Sequence, residues 1–487
     1  MSTPIWRKYA LLLLAGLPAW GLCALLAGAG KGWADAACAM LAALWLICAA
    51  RLRFGRRHAA ELILLGGFLT GLAFVIELPY GFSYHDLAAY VPLESGGGDG
   101  HLGYVCSIVQ NGALPLMNPM EQGYSILYHP PLYHVALACA MKINLLLGLD
   151  VQTALECLQV VPWLCACACA LVTMDILALL GMKGKGLRAG ALTMAFQPML
   201  FLLGATLNND IPCILCMLLC ALFALRWRRS RSMADILRLG ASLAAGMAIK
   251  LSAALMIPCI ALVFVACFWQ DRRRWRRYAG QFAAFLGVSV PLAVAWPLYH
   301  LLAFGMPLGY VRLPAPTTDV SGYSLAQRFG FPDWYAVRSL FYTAVRKSNH
   351  NVWMQTLKTG LFDELILFEE GSLLWYAAYL LLVAFAVLLL VCLALFVRML
   401  VTRGLHGLDK AFLAAMGAMI LGSYLRFCVA YPYMCSFNFR YVAPVLCLCA
   451  VAMGHYRQSR RSAWAEGLAG LFSAGVLGIY AMYFFVV

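Results

Sequence analysis

The sequence predicts an all-α polytopic membrane protein with about 13 transmembrane helices, on three observations. Of the 487 residues, 63% are hydrophobic and only 12% are charged, which leaves too little polar surface to cover the core of a soluble protein. About thirteen apolar runs approach the roughly 20 residues that a spanning helix needs. Short basic clusters separate these runs, as cytoplasmic loops do in membrane proteins.

The basic clusters determine the predicted topology. The formal net charge is +15, and we place every cluster on the cytoplasmic side because Lys and Arg accumulate there. The clusters are Arg7-Lys8, 51–58, 183–188, 226–231, 271–277, 398–410 and 455–461. The predicted spans are 9–29, 35–50, 60–80, 153–181, 187–205, 207–226, 235–249, 251–269, 279–303, 371–398, 411–428, 441–455 and 463–485.

The chain 1–487 is predicted to be a single integral membrane domain, since no tandem soluble domain or repeat is visible. The first run follows Arg7 and Lys8, lacks a clear small-residue cleavage site and precedes another apolar run, so we expect a retained anchor. The nineteen cysteines lie mostly in apolar runs, where cysteine acts as a small hydrophobic residue. No basic stripe with interleaved aromatic residues indicates nucleic acid as a partner.

Two long segments, 81–130 and 304–370, fall on the predicted non-cytoplasmic side. The apolar run 131–147 lies between the first of them and the next span. If this run crossed the membrane, the basic cluster 183–188 would lie outside, so we expect a juxtamembrane helix in the outer interface. Residues 81–147 therefore form one predicted external loop, and 304–370 form a second.

The segment 81–130 contains acids and histidines but no Lys or Arg. Asp86 follows a spanning run in YHDLAAY, and Asp99 follows three glycines and precedes a run with helical spacing. Asp is a common helix N-cap, so capping is one interpretation of Asp99. Catalysis is the other, because a glycine turn lets other groups approach a carboxylate closely. The Pro pair in YHPPLYHV, 128–135, ends one element and begins the next.

These motifs together resemble the first luminal loop of the GT-C glycosyltransferases, most of all the protein O-mannosyltransferase and lipid A aminoarabinose transferase branch. The similarity rests on DGHLGY at 99–104 and HPPLYH at 129–134. The sequence departs from the family at Gly100, where a second acid is expected and where His101 or Asp86 would take its role. Further motifs with the same resemblance are LGATLNNDIP at 203–212, GMAIKLSA at 246–253, WMQTLKTGLFDE at 353–364 and FNFRYVAP at 437–444.

The resemblance implies a GT-C-like helical membrane module with juxtamembrane helices in the first external loop. It implies an inverting glycosyltransferase that moves a monosaccharide from a polyprenyl-phosphate-linked donor to a glycan, lipid or protein acceptor of the cell envelope. The site would lie on the non-cytoplasmic face of a multi-pass protein of the cell membrane, in contact with membrane lipid. The first-loop Asp would activate the acceptor.

The residues themselves suit such a reaction. A positioned general base contributes about 10² to 10⁴ in rate, which suits Asp99, with Asp86 as its rival. The donor phosphate needs cations, and Arg440 and Lys250 lie where apolar runs end. Cations at the membrane interface are functional candidates. The alternatives for these two residues are snorkelling to lipid headgroups and pairing with an internal acid. Further substrate-binding candidates are His101, His129, Tyr441, Asp210 and Asn209, with N-capping as the alternative for Asp210.

Other cations of the second loop and its surroundings are secondary candidates for the phosphate. They are Arg312, Arg328, Arg338, Arg346, Lys347, Lys358 and Arg426.

No ligand spacing is diagnostic of a metal site. We therefore assign no metal and no cofactor, and leave open a divalent cation at His85, Asp86, Asp99 and His101. Two other functions remain as alternatives. One is a secondary transporter, although the two similar halves typical of transporters are not visible. The other is a lipid-linked polymer ligase or polymerase of the same superfamily.

Overall fold

The computed structural model describes residues 5–51, 58–82, 86–313, 316–341, 349–363, 365–460 and 462–486. Within these ranges the regular structure is helical, with one isolated antiparallel bridge between Asp319 and Tyr433 and no strand. The all-α prediction is confirmed. The helices are α1 Ile5–Leu26, α2 Lys31–Arg51, α3 Ala59–Glu77, α4 His101–Asn111, α5 Leu132–Leu146, α6 Val151–Leu158, α7 Val160–Leu179, α8 Lys185–Ala195, α9 Pro198–Gly204, α10 Asp210–Ser230, α11 Met233–Ile249, α12 Met256–Gln270, α13 Trp275–Phe304, α14 Leu325–Phe329, α15 Trp334–Arg338, α16 Val352–Phe362, α17 Leu373–Val401, α18 Gly407–Ala430, α19 Val445–Ser459 and α20 Trp464–Val486.

Within the described ranges, ten helical spans are long and apolar enough to cross a membrane, or up to twelve if each of two bent pairs is one span. The sequence predicted about thirteen. The difference is the predicted run 235–249, which forms α11. Its 17 residues extend only about 26 Å at 1.5 Å per residue, short of the roughly 30 Å hydrocarbon core. The polytopic membrane architecture is confirmed with this lower count.

The predicted run 187–205 is two helices, α8 and α9, that meet at an angle of 55°. Pro198 is the first residue of α9. Because proline has no backbone N–H and its ring clashes with the preceding turn, it is tolerated at a helix start but ends the helix before it. One predicted span is therefore a bent pair.

The chain divides into two compact units. The first consists of Met1–Ala34, Gly71–Ile176 and Leu203–Arg312. In it α11 packs between α10 and α13, while α5 packs against α4 and α6. The N-terminal helix is held by a buried acid of α7: Asp175 accepts hydrogen bonds from Lys8 Nζ at 2.9 Å and from Tyr9 Oη at 3.0 Å.

The second unit consists of Asp35–Thr70, Leu177–Leu202 and Leu313–Val487. Its α19 packs against α8 and α17, and α20 packs against α17. The short helix α16 lies on α17 and on the turn Phe439–Tyr441. Arg457 pairs with Glu466 at 2.6 Å, and Arg188 pairs with the same carboxylate, so two cations bind one buried acid.

The expected helix at 131–147 is present as α5 in the first unit. Its 15 residues extend about 22 Å, too short for the roughly 30 Å core of a bilayer. Asn144 fixes its far end by accepting a hydrogen bond from Trp20 Nε1 at 2.9 Å and donating one to the Ala154 carbonyl at 3.0 Å. The length agrees with a juxtamembrane helix, whose orientation remains a prediction.

Candidate functional site

Asp99 lies in a turn whose glycines, Gly98, Gly100 and Gly103, pack closely against neighbouring backbone. A Cβ on Gly98 would lie 1.8 Å from the Val91 carbonyl oxygen, and one on Gly103 would lie 1.5 Å from the Gly98 carbonyl oxygen. A Cβ on Gly100 would lie 2.5 Å from the backbone oxygen of Asp86. Only glycine fits these positions, and the turn therefore holds the Asp99 backbone rigidly against its neighbours.

The Asp99 carboxylate is bound by three donor groups of the first unit. The Ser125 hydroxyl donates to Oδ2 at 3.0 Å and lies 3.1 Å from Oδ1, and the Ile126 N–H donates to Oδ1 at 3.1 Å. Arg312 Nη1 donates to Oδ2 at 3.1 Å and also contacts the Ser125 hydroxyl. The Asp99 side chain keeps 20% of its surface exposed. A carboxylate offers about four lone-pair sites, so one site remains for a further donor.

Asp99 does not cap α4, the helix that follows it. The N-cap of α4 is Gly100, which has no side chain to accept the first N–H groups. Instead the Asp99 carboxylate accepts the backbone N–H of Ile126 in the 3₁₀ turn Ser125–Tyr128. The expectation of an N-cap at α4 is therefore wrong, because the carboxylate stabilises a different helical turn.

Asp86 has a backbone role in the same turn. Its carbonyl accepts the His101 N–H at 2.8 Å, and the Leu87 carbonyl accepts the Leu102 N–H at 3.0 Å, so this segment satisfies the start of α4. Asp86 adopts a left-handed backbone conformation with φ of 54°, which Asp tolerates better than most residues. Its side chain is exposed. His85, which precedes it, lies outside the described residues.

Three histidines, two of them predicted from the sequence, form a buried row beside the turn. His101 Nδ1 lies 2.9 Å from His134 Nε2, and the His101 ring stacks on the His134 and His129 rings at 5.1 and 5.7 Å. The Tyr104 ring stacks on the His134 ring at 4.2 Å. Burial lowers the pKa of His134 to about 3, so its ring is neutral. We did not select His134 from the sequence, although YHPPLYHV contains it.

The C-terminal end of α13 anchors the loop that carries Ser125. Trp296 Nε1 donates to the Leu127 carbonyl at 2.9 Å, and Tyr299 Oη donates to the Leu116 carbonyl at 3.4 Å. The chain then leaves α13 at Gly305 and reaches Arg312 seven residues later. This path explains how a cation of the second loop lies against an acid of the first.

Lys250 and Asp210 form an ion pair with Nζ–Oδ1 of 2.5 Å. Lys250 follows the last residue of α11 with extended backbone, and Asp210 is the first residue of α10. The preceding residue, Asn209, donates to the Ile249 carbonyl at 3.4 Å. Asp210 does not act as the N-cap, because the N-cap position is Asn209. The two predicted motifs LNNDIP and AIKLSA thus meet through these residues.

Arg440 is buried in the second unit, with 9% of its surface exposed. Its Nη2 donates to the Tyr441 hydroxyl at 2.9 Å, and its guanidinium carbon lies 4.9 Å from the centre of the Tyr441 ring. The neighbouring Asn438 donates to Asp363 Oδ1 at 3.2 Å, and Thr359 Oγ1 accepts the Phe439 N–H at 3.0 Å. The motif FNFRYVAP is therefore hydrogen-bonded to α16 and to Asp363, the residue that follows α16. These residues belong to the motif WMQTLKTGLFDE, of which residue 364 lies outside the description.

Among the secondary cations that the structure describes, Lys358 is the most buried. Its Nζ donates to the Ala336 carbonyl at 2.6 Å and to Asn349 Oδ1 at 3.2 Å, and burial lowers the pKa of Lys358 to about 7. Arg328 is also buried and donates to the Cys428 carbonyl at 3.4 Å. The polar ends of both side chains are therefore hydrogen-bonded within the second unit.

The other secondary cations are exposed or outside the description. Arg338 pairs with Glu370 at 2.9 Å, and Arg426 is exposed on α18. Arg346 and Lys347 lie outside the described residues. In the described ranges, no group of three or more His, Cys, Asp or Glu side chains is placed to hold a metal ion.

Residues 129–299 match the family model described as dolichyl-phosphate-mannose-protein mannosyltransferase. The archaeal oligosaccharyltransferase AglB from Archaeoglobus fulgidus, solved in complex with an inhibitory peptide and a dolichol-phosphate, is similar with a TM-score of 0.44 and 13% identity. The similarity covers 88% of this chain and 55% of the AglB chain, so the chain spans about half of the length of that structure. No curated protein matches in sequence.

The matched segment begins at His129 of the histidine row and ends at Tyr299, the residue of α13 that anchors the first loop. It also includes Asp210 and Lys250, whose motifs carried the resemblance in the sequence. Over residues 129–299 the chain therefore resembles the dolichyl-phosphate-mannose-protein mannosyltransferases, and the resemblance to the GT-C superfamily that its motifs predict is confirmed.

Proposed function

We propose that the protein is a membrane glycosyltransferase that transfers a monosaccharide from a polyprenyl-phosphate-linked donor to a hydroxyl of an envelope acceptor. The single observation that carries the proposal is the Asp99 carboxylate. It is oriented by Ser125, Ile126 and Arg312, is partly exposed, and retains one acceptor site. The family match over 129–299 supports the same class of reaction.

In the proposed step Asp99 accepts the proton of the acceptor hydroxyl. The hydroxyl oxygen then forms a bond to the anomeric carbon of the sugar from the face opposite the phosphate. The bond between that carbon and the phosphate oxygen breaks, and the polyprenyl phosphate leaves with the bonding electron pair. One displacement of this kind inverts the anomeric centre. A general base contributes about 10² to 10⁴ to such a step.

Arg312 acts in this proposal as a positioning residue. A guanidinium has five N–H donors in a fixed plane, and its contact with both Asp99 and Ser125 restrains the carboxylate in one orientation. Asp86 is the rival base because its carboxylate is exposed next to the same turn. His101 and His129 belong to the buried histidine row beside the turn. We propose that they bind the sugar or the acceptor.

The donor phosphate needs cations, because negative charge develops on it as the bond breaks. Lys250 and Arg440 remain the candidates in their respective units, with Asn209, Asp210 and Tyr441 beside them. Asp210 balances the Lys250 charge while the donor is absent. The Tyr441 hydroxyl holds the Arg440 guanidinium, which can bind phosphate in a bidentate way.

The proposal is tested with purified protein in lipid nanodiscs and a panel of radiolabelled polyprenyl-phosphate monosaccharides. We expect one donor to be consumed when an envelope extract is added, with release of free polyprenyl phosphate and with label in the extract. An Asp99→Asn sample is the matched control and should consume little donor. Sugar or lipid uptake into sealed vesicles without cleavage of any donor would instead support a transporter.

A further inference from the structure

A basic pocket lies in the second unit, where α17 and α19 end. None of its lining residues belongs to the proposed site. Its volume is about 220 Å³. Leu395 and Met399 of α17 form buried apolar parts of its lining, and the exposed side chains of Arg398, Arg403 and Arg460 contribute three positive charges. We call it the arginine pocket. The basic clusters predict that this end of the helices is cytoplasmic.

The arginine pocket carries uncompensated positive charge. Neither Asp nor Glu is among its nine lining residues, and in the described part of the chain its three arginines take part in no ion pair. The acid nearest in sequence to Arg460, Glu466, is already bound by Arg188 and Arg457. An anion from outside the protein would therefore meet three guanidinium groups without competition from a lining carboxylate.

The walls of the pocket are held in place by hydrogen bonds to backbone carbonyls. Lys410 donates to the Leu400 carbonyl at 3.1 Å and to the Thr402 carbonyl. Lys185 donates to the Arg460 carbonyl at 3.2 Å. These contacts fix the two segments that carry the arginines, so the protein's own hydrogen bonds hold the shape of the pocket, as in most ligand sites.

The turn after α17 closes on α19 only because it contains glycine. Gly404 has φ of +131°, and a Cβ there would lie 2.9 Å from His455 Cε1. The pocket also presents polar groups from α19: His455, Ser459 and the hydroxyl of Tyr456, which accepts a hydrogen bond from Trp464 Nε1 at 2.8 Å. Trp464 is half-exposed, and aromatic residues of this kind are enriched where a membrane meets water.

The three arginines and the apolar lining together indicate the chemical class of the ligand. Arginine is the preferred partner of phosphate because its planar donors match the phosphate oxygens, and basic pockets between membrane helices bind the headgroups of anionic lipids. The apolar lining of Leu395 and Met399 suits a ligand with a hydrocarbon part next to its phosphate. We propose that the arginine pocket binds the phosphate group of an anionic phospholipid.

Lipid titration of the full-length protein in neutral detergent, followed by native mass spectrometry, tests this proposal. We expect phosphatidylglycerol or phosphatidic acid to bind, and phosphatidylcholine of the same chain length to bind at least tenfold more weakly, because its choline is repelled. The double variant Arg403→Gln/Arg460→Gln should lose about tenfold or more in affinity for the anionic lipid, which corresponds to roughly 1.4 kcal/mol.

The matched control is Arg272→Gln/Arg273→Gln, which removes two exposed arginines from a different basic cluster and should leave the affinity unchanged. Equal losses in both double variants, or binding that does not distinguish the lipids, would overturn the proposal in favour of general charge attraction. Inorganic phosphate is titrated in parallel, with the thermal unfolding midpoint as readout. If inorganic phosphate protects the wild type but not the pocket variant while neither anionic lipid binds, the pocket takes the phosphate of a soluble compound, and the lipid assignment is wrong.

Discussion

Arg312 Nη1 lies 3.1 Å from Asp99 Oδ2, although 213 residues separate the two in sequence. The loop 81–130, which is predicted to be external, contains no basic residue of its own. Considered alone, that loop predicted a carboxylate without cations nearby. The fold instead brings an arginine from the start of the second loop to the candidate base, and this ion pair shapes the predictions for the site.

Replacing Asp99 by Asn should reduce sugar transfer by roughly 10² or more, because the amide cannot accept the acceptor proton. Its oxygen can still accept the Ile126 N–H, so membrane yield and thermal unfolding should stay close to wild type. Transfer rate with the lipid-linked donor is the measurement.

Asp86→Asn is run beside it to separate the two carboxylates. It keeps the backbone carbonyl that satisfies the start of α4 and should cost little activity. An active Asp99→Asn with an inactive Asp86→Asn would move the base to Asp86. Full activity in both would argue against a glycosyltransferase with an Asp base.

Arg312→Ala should lower kcat with a smaller effect on KM for the donor, because a misoriented base slows the chemical step. Hydrogen bonds to charged groups contribute about 1.5–3 kcal/mol, or roughly 10- to 150-fold in rate. Arg312→Lys should recover only part of the lost rate, because Lys keeps the positive charge but lacks the planar donors of a guanidinium. Steady-state kinetics of each variant give the split.

A double-mutant cycle identifies how Arg312 acts. If it acts through Asp99, then Asp99→Asn/Arg312→Ala should be no slower than Asp99→Asn alone, because coupled residues are not additive. Additive losses would show instead that Arg312 contacts a substrate directly.

Arg440→Ala should weaken use of the lipid-linked donor and raise its KM, because the guanidinium binds phosphate in a bidentate way. Arg440→Lys should restore only part of this binding. Arg51→Ala removes an exposed cation of the same unit that has no proposed role in the site; it serves as the control and should behave like wild type. Unchanged donor KM in both Arg440 variants would assign Arg440 a structural role on the Tyr441 ring.

Lys358 should make the protein more stable as the pH rises from about 7 to about 10. Burial lowers the pKa of Lys358 to about 7 in the folded state, whereas an unfolded lysine titrates near 10.4. Between these values the unfolded chain binds the proton and the folded chain does not, so the free energy of unfolding increases with pH. Lys358→Met should flatten this slope in thermal unfolding measured at several pH values; an unchanged slope would contradict the assignment.

Both large loops should be accessible from outside the cell. Ser95 and Ser321 are exposed, and Ser95→Cys and Ser321→Cys should react with an impermeant thiol reagent on intact cells. Cys139, the one exposed cysteine among the nineteen, is first replaced by Ser to lower the background. Labelling that requires cell lysis would reverse the topology.

Part of the candidate site was predictable because its signals are local. The Pro pair at 130–131 correctly predicted the end of one helical turn and the start of α5. The helical spacing after Asp99 correctly predicted α4. His134 was visible in the motif, but only its 2.9 Å contact with His101 distinguishes it from other histidines. Ser125 had no sequence signal, since an isolated serine in a polar loop is common.

The sequence by itself determined that this is a helical membrane protein, because hydropathy and the spacing of basic clusters are properties of short stretches of chain. It also predicted the resemblance to the GT-C glycosyltransferases, because its motifs follow one another in order along the chain, and the family match over 129–299 confirms that resemblance. Only the tertiary structure decided that Asp99 binds Arg312, that Lys250 binds Asp210 and that Gly100 cannot carry the second acid. The two ion pairs join side chains that are 40 and 213 residues apart in sequence. The constraint on Gly100 comes from a backbone contact that leaves no room for a Cβ. A local sequence pattern contains neither kind of information, because both depend on how distant segments pack.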